Sequence, residues 1–600
     1  MSDQKNLILA IVASMAILFG FQYFYEMPRA EKARQAEAQR QEQIKQAAPA
    51  TPAGIPATTA DSAAPTAPAA ETAIAPGAVR QSVLGLSPRV RIEGRRVHGS
   101  ISLTGGRLDD LTLADYRETL APDSPEIILL SPAGAANAYF GDFGWSASGG
   151  QPVKVPDANT LWTASSPVLR ADQPMTLTWD NGEGLVFSRT FTLDDNYMFA
   201  VTQKVENKTD QAVTLYPYSL LSRTGTPLTD GLYILHEGPI GVFRDTAEKS
   251  GSATELKYSK LIDEKSVTQN SVGGWIGFTD KYWLTALIPA PDDAVKARFS
   301  HTARANDRYQ IDLLGANGLN IGPKSTGETT TRLFAGAKQV GLIDDYKTRY
   351  NIAHFDLAID WGWFYFLTKP MFAAVDYFYK LLGNFGLAIL LLTIIVKTLF
   401  LPLAYKSYVS MSQMKDLQPK MLELREKYAE DRQKLNQEMM ALYKREKVNP
   451  AAGCLPIVLQ IPVFFALYKV LYITIEMRHA PFFGWIHDLS APDPTTWMNL
   501  FGLLPYTVPN LGPLHILSIG VWPLLMGISM WLQMKMNPTP PDPVQQKIFA
   551  FMPIVFTFML GSFAAGLVIY WTWNNLLSIT QQWLIKKRMD RQKAKKAASA

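Results

Sequence analysis

The run LLLTIIVKTLFLPL, residues 390–403, has the apolarity of a membrane-crossing segment and carries one ammonium group, Lys397, in its middle. Placing that charge in a bilayer costs roughly 2.5–3.5 kcal/mol even on insertion-based scales. A helix that holds it must turn it toward a polar interior or let it snorkel to the headgroups. The rest of the chain indicates which. Hydrophobic residues make up 47% of the 600 and cluster near the N-terminus and after residue 360, which predicts a membrane protein carrying a soluble domain. The net charge of +5 is too small to signal a nucleic-acid binder, and the single cysteine, Cys454, excludes an intramolecular disulfide.

Residues 7–25, LILAIVASMAILFGFQYFY, are long enough to span a bilayer. No small-x-small site follows, and Phe24 and Tyr25 close the run as an interfacial belt would, so residues 1–28 read as an uncleaved signal anchor. Five further spans are predicted at 385–404, 454–475, 515–534, 549–563 and 567–585. The last two, separated by GSFAAG, should form a tight hairpin. Within the connecting segment 346–384, residues 361–382 are aromatic and amphipathic, as suits a helix lying along the interface.

Charge then sets the topology. The 405–450 loop holds ten Lys/Arg and the tail after 585 holds seven, whereas 476–513 holds only Arg478. The positive-inside rule puts 405–450 and both termini in the cytoplasm and 476–513 outside. Five Lys/Arg at 26–45 run against this pattern, but four acids are interspersed among them.

Residues 29–79 read as a polar helix followed by an Ala/Pro/Thr tether. From 80 to 345 the texture changes to short alternating runs broken by Gly, Asp and Pro, such as MTLTWDNGEGLVFSRTFTL, which predicts an all-β sandwich. His98, His236 and His301 lack metal-ligand spacing, and GANGLNIGPKST lacks the spacing of a phosphate-binding loop. No catalytic or metal site is predicted. In the charged 405–450 segment, Met414, Leu417, Met421, Leu424 and Tyr428 form one stripe, and Leu435, Met439 and Leu442 a second. Two amphipathic helices can zip through these as a hairpin. Flexible thioethers also suit varied apolar partners, making Met414, Met421 and Met439 candidate contacts for hydrophobic clients. The basic tail 586–600 suits positive-inside anchoring, and its charge also suits anionic lipid or ribosomal RNA.

Polar residues recur at membrane depth on several spans: Thr393, Gln460, Gln533, Asn574, Asn575 and Ser578. No predicted span has an acid deep enough to pair Lys397. Grouping these residues around it as a hydrophilic groove is the simplest way to keep all of them from lipid.

The stretches QEMMALYKREKVNPAAGCLPIVLQIPVFFALYKVLY (437–472), FGWIHDLSAPDP (483–494), DPVQQKIFAFMPIVFTFML (542–560) and GLVIYWTWNNLLSITQQWLI (566–585) resemble the bacterial YidC insertase family. GGWIGFTDKYWLTALIP (273–289) is similar to the large periplasmic domain of its Gram-negative members. The resemblance implies an inner-membrane insertase for nascent membrane proteins, acting alone or beside the Sec translocon, without nucleotide or cofactor. Ribosome contact through the cytoplasmic loops and tail is a further expectation. The family's groove usually carries arginine where this chain has Lys397, which keeps the charge but loses the bidentate fork. Client segments would slide out along Leu455, Pro456, Ile461, Pro462 and Phe464 on the third span, and Val555, Phe556, Thr557 and Phe558 on the fifth. The rival reading is an ion-coupled transporter or channel, for which paired ionisable groups or repeated halves would be expected.

Overall fold

The computed structural model describes residues 79–147, 153–229, 235–244, 252–303, 306–362, 364–446, 448, 455–504, 517–537 and 543–598. The expected signal anchor (1–28) and the linker up to residue 78 lie outside them.

Strict alternation builds the first half of the chain. In Leu185–Leu193 every second residue is buried, so one face of the strand enters the core. Among the described residues, twenty strands between Arg89 and Ala337 form an eleven-stranded and a nine-stranded sheet. The long strand Ser325–Ala337 pairs antiparallel with Met198–Asn207, matching Val201 with Thr331. The two sheets meet over a common core in which Phe143 of one packs edge-on against Phe191 of the other. Arg189 crosses between them, donating to the Gly106 carbonyl at 2.6 Å and to the carbonyl of Phe143. The expected sandwich is present, and its core is large enough to need no disulfide.

The second half is helical: α1 (Val340–Arg349), α2 (Tyr365–Leu382), α3 (Phe385–Leu399), α4 (Leu401–Asp416), α5 (Gln418–Lys427), α6 (Arg432–Arg445), α7 (Leu455–Ile473), α8 (Val521–Met536), α9 (Pro543–Leu560) and α10 (Ala565–Ala598). Among the described residues, no single helix is by itself long and apolar enough to cross a membrane, and α3 with α4 forms one bent pair that passes together.

Several boundaries differ from expectation for physical reasons. The run expected as one span, 385–404, breaks at Phe400 and turns 63° into α4. Pro402, at the start of α4, lacks the N–H that a continuous helix would donate to the Thr398 carbonyl, so the helix is interrupted there. The expected hairpin therefore has three helices rather than two. The expected tail is not separate either, because α10 runs 34 residues without a break. Its Lys, Arg, Gln and Ala are all good helix formers. Finally, α9 and α10 do not zip into a tight pair after their turn. Both instead pack chiefly on α8, where Gly527 admits Thr557 of α9 so closely that a Cβ there would collide with the threonine oxygen.

The β-domain is seated on the helices. Glu476, just beyond α7, accepts a hydrogen bond from the Val340 N–H at 2.8 Å, and Arg478 donates to the Arg117 carbonyl at 2.6 Å. Lys469 of α7 pairs with Asp360 at 3.0 Å, and Asp360 accepts from the His236 N–H. Burial pushes the Glu476 carboxyl up to about 7.

Candidate functional site

Thr393 and Lys397 lie one turn apart on α3, so they share a face. Opposite them, α10 presents Tyr570, Asn574, Ser578 and Gln581, again at helical spacing, and α7 presents Gln460, Val463 and Leu467. Lys397 Nζ donates to Ser578 Oγ at 2.7 Å and reaches Gln460 Oε1 at 3.5 Å. Ser578 in turn donates to the Asn574 carbonyl at 2.8 Å, and Gln581 Nε2 donates to the Lys397 carbonyl at 3.3 Å. The Trp573 indole ties α10 to the Leu390 carbonyl at 3.2 Å. These described partners of the ammonium are all neutral.

Around this cation is a cavity of about 50 Å³, room for a few water molecules. The α3–α4 bend closes one side with Phe400, Leu403, Ala404 and Tyr408. Its walls are mixed. Ile389, Leu392, Val396 and Leu467 make most of them apolar, whereas sequence reasoning anticipated a hydrophilic lining.

Of the expected groove residues, Lys397, Thr393, Gln460 and Asn574 line the cavity, and Ser578 bonds the ammonium. The Thr393 hydroxyl donates back to the Ile389 carbonyl at 2.7 Å, so its proton is used within its own helix. Asn575 and Gln533 do not line the cavity. Asn575 is turned one position round α10 and donates to Ser529 of α8 at 3.0 Å, joining two helices. Gln533 sits on α8, away from the lining. Tyr408 and Tyr570 were missed. Tyr570 stands one turn before Asn574 on the same stripe, a signal that was available. Tyr408 was hidden in what read as a cytoplasmic loop.

The expected slide also divides. Ile461 and Val555 are exposed, at 47% and 49%. Phe464 and Phe556 turn inward to meet the Trp571 ring, at 4.8 and 5.8 Å between centroids. Thr557 is buried, donating to the Pro553 carbonyl at 2.8 Å. Pro462 and Phe558 are half-buried. The side chains of Leu455 and Pro456 lie outside the described residues. On α7 and α9 the outward apolar positions therefore include Phe465 and Ile554, which sequence reasoning did not name.

In the hairpin, Met421 is buried with Leu417, Leu442 and Val448, and Met414 and Met439 pack against them. The methionine stripe forms the internal seam of the hairpin, not the outward face expected of a client contact. Among the described residues of the hairpin, the large apolar side chains left exposed are Leu422 and Met440.

The family model described as "60Kd inner membrane protein" matches residues 377–593, and the one described as "YidC periplasmic domain" matches 89–374. The Membrane protein insertase YidC of Methylorubrum extorquens (strain PA1) is 52% identical over 598 residues, covering 98% of this chain and 96% of that protein. That of Beijerinckia indica subsp. indica is 51% identical over 592 residues, with the same coverage of each. With both halves matched in order and relatives aligned nearly end to end, the chain belongs to the YidC family of membrane protein insertases.

Proposed function

We propose that the protein inserts nascent membrane proteins into the bacterial inner membrane. In this reading the bundle is six-spanning, with both termini and the 405–450 hairpin cytoplasmic and the β-domain periplasmic. The observation that carries it is an ammonium placed among apolar helices whose partners, among the described residues, are all neutral. Such a group has spare attraction for an incoming anion, and a carboxylate is the costliest group for a client tail to carry across the apolar layer.

The barrier falls in two stages. A client's polar end enters the recess beside Lys397, exchanging bulk water for the cation, Gln460, Asn574 and whatever water the cavity retains. The apolar segment then leaves along the outward side chains of α7 and α9, including Ile461 and Val555, by hydrophobic partitioning that needs no nucleotide. The Sec translocon is a proposed partner, as is a ribosome that reaches the hairpin and α10's basic end. The transporter alternative draws no support from the relatives.

Photo-crosslinking tests the reading. Probes replacing Gln460, Ile461 and Val555 should capture a ribosome-stalled membrane protein, and one at exposed Glu183 of the β-domain should not. Equal capture from all four positions would refute the route.

A further inference from the structure

The segment before α8 has a feature that the insertion route does not use. At Trp497–Gly502 the chain makes a short 3-10 turn, and Trp497, Leu500, Phe501, Leu503 and Leu504 are all exposed, Leu503 by 83%. The backbone holds them outward at a cost. Leu500 and Phe501 lie consecutively in the left-handed region, at φ 51° and 58°, which bulky residues rarely adopt.

This loop is fixed in place. The Trp497 indole donates to the Leu517 carbonyl at 2.6 Å and its N–H to the Ile519 carbonyl at 3.0 Å. Asp493 accepts from the Trp522 N–H at 2.9 Å, and Thr495 from the Val521 N–H at 3.0 Å. The apolar tip is thus tied to the first turn of α8.

Four of its backbone N–H groups are also satisfied within the loop. The N–H groups of Phe501, Leu503 and Leu504 donate to the carbonyls of Thr496, Leu500 and Asn499, and that of Gly502 to the Asn499 side chain at 3.0 Å. In water such closure is optional, but in hydrocarbon an unpaired N–H is prohibitive. Residues 494–514 contain no Asp, Glu, Lys or Arg. A protein-docking patch shares the aromatic enrichment but adds arginine and a polar rim, and this tip has neither arginine nor any charged residue around it from 494 to 514. An uncharged tip with tryptophan at its base instead has the chemistry of the headgroup–acyl boundary.

We infer that Trp497–Leu504 is a wedge that enters the periplasmic leaflet beside the start of α8, with phospholipid as its occupant. The inference rests on the membrane-embedded reading above, and it predicts local disturbance of that leaflet next to the bundle.

The test uses the full chain in liposomes, with Cys454→Ser and single cysteines at Leu503, Val555 or Glu183 carrying an environment-sensitive fluorophore. A shallow nitroxide phospholipid should quench the Leu503 label several-fold more than the Glu183 label, and iodide should quench it several-fold less. If Leu503 is as iodide-accessible as Glu183 while Val555 reads lipid, the wedge is wrong and the face is free for a protein partner. If Val555 also reads water, the embedded reading fails and the wedge with it.

Discussion

Lys397 of α3 and Ser578 of α10 are joined by a 2.7 Å hydrogen bond inside a mostly apolar cavity, with Gln460 at 3.5 Å as the second acceptor. Neutral acceptors offset only part of the cost of removing an ammonium from water. The site therefore gives up stability to keep a charge available.

The first prediction follows from that imbalance. Lys397→Met conserves volume and removes the charge, so it should leave thermal stability in detergent unchanged or raised, while insertion of a client with an acidic translocated tail falls. Ser578→Ala should instead destabilise by about 1–3 kcal/mol, because it strips an acceptor from the retained cation. Thermal melts of both variants, run beside insertion assays, check the pair. A destabilised Lys397→Met protein would show that the lysine is structural.

Glu476 gives a pH prediction. Its folded-state value, about 7, lies above the ordinary 4.5 because the carboxyl is buried at the joint between β-domain and helices. Between these values the folded state holds more protons than the unfolded one, so this group's contribution is full below pH 4.5 and is lost as pH rises through 7. Glu476→Gln keeps an acceptor for the Val340 N–H and removes the ionisation. It should raise the melting temperature at pH 8, by up to about 3 kcal/mol of stability, and change little at pH 4.5. An equal effect at both pH values would exclude ionisation as the cause.

Packing of α9 on α8 depends on a missing side chain. Gly527→Ala places a Cβ against the Thr557 oxygen, which is held by the Pro553 carbonyl, and should cost about 1–3 kcal/mol. Adding Thr557→Ala should restore part of the loss, and a double-mutant cycle of unfolding measurements reads the coupling directly.

The hairpin separates stability from contact. Met421→Ala opens its seam and should lower helicity and raise protease sensitivity of residues 418–445, at about 2–5 kcal/mol for a fully buried methionine. Leu422→Glu and Met440→Glu alter only exposed positions. They should leave the hairpin folded and reduce crosslinking to nascent chains if clients touch it.

What could be read from sequence follows from how local the determinants were. Alternation in LVFSRTFTL directly sets which side chains are buried. The pairing of Val201 with Thr331 joins strands 130 residues apart and left no local trace. The grouping of Lys397 with Gln460, Asn574 and Ser578 was legible because intramembrane polar groups have so few tolerable places to go. Asn575 lies outside the cavity because the same chemistry also joins helices, here to Ser529, and only the rotation about the helix axis distinguishes the two; Gln533 lies on α8, away from the cavity lining. The bend at Phe400 was signalled by Pro402, yet the apolar run continued through it and masked the break. Met421 carries two expectations, hairpin seam and client contact, because periodicity marks an apolar stripe without saying what covers it; its side chain lies in the seam.

The central claim is that Lys397 acts by charge on the client's translocated acids, and a charge series measures it most directly. In proteoliposomes, Lys397→Arg should insert an acidic-tailed client almost as well as the unmodified protein. Lys397→Ala should lose several-fold and Lys397→Glu more, with both defects vanishing for the same client after its tail acids are replaced by asparagine or glutamine. Insertion of the acidic client at the unmodified rate by both Lys397→Ala and Lys397→Glu would contradict the claim.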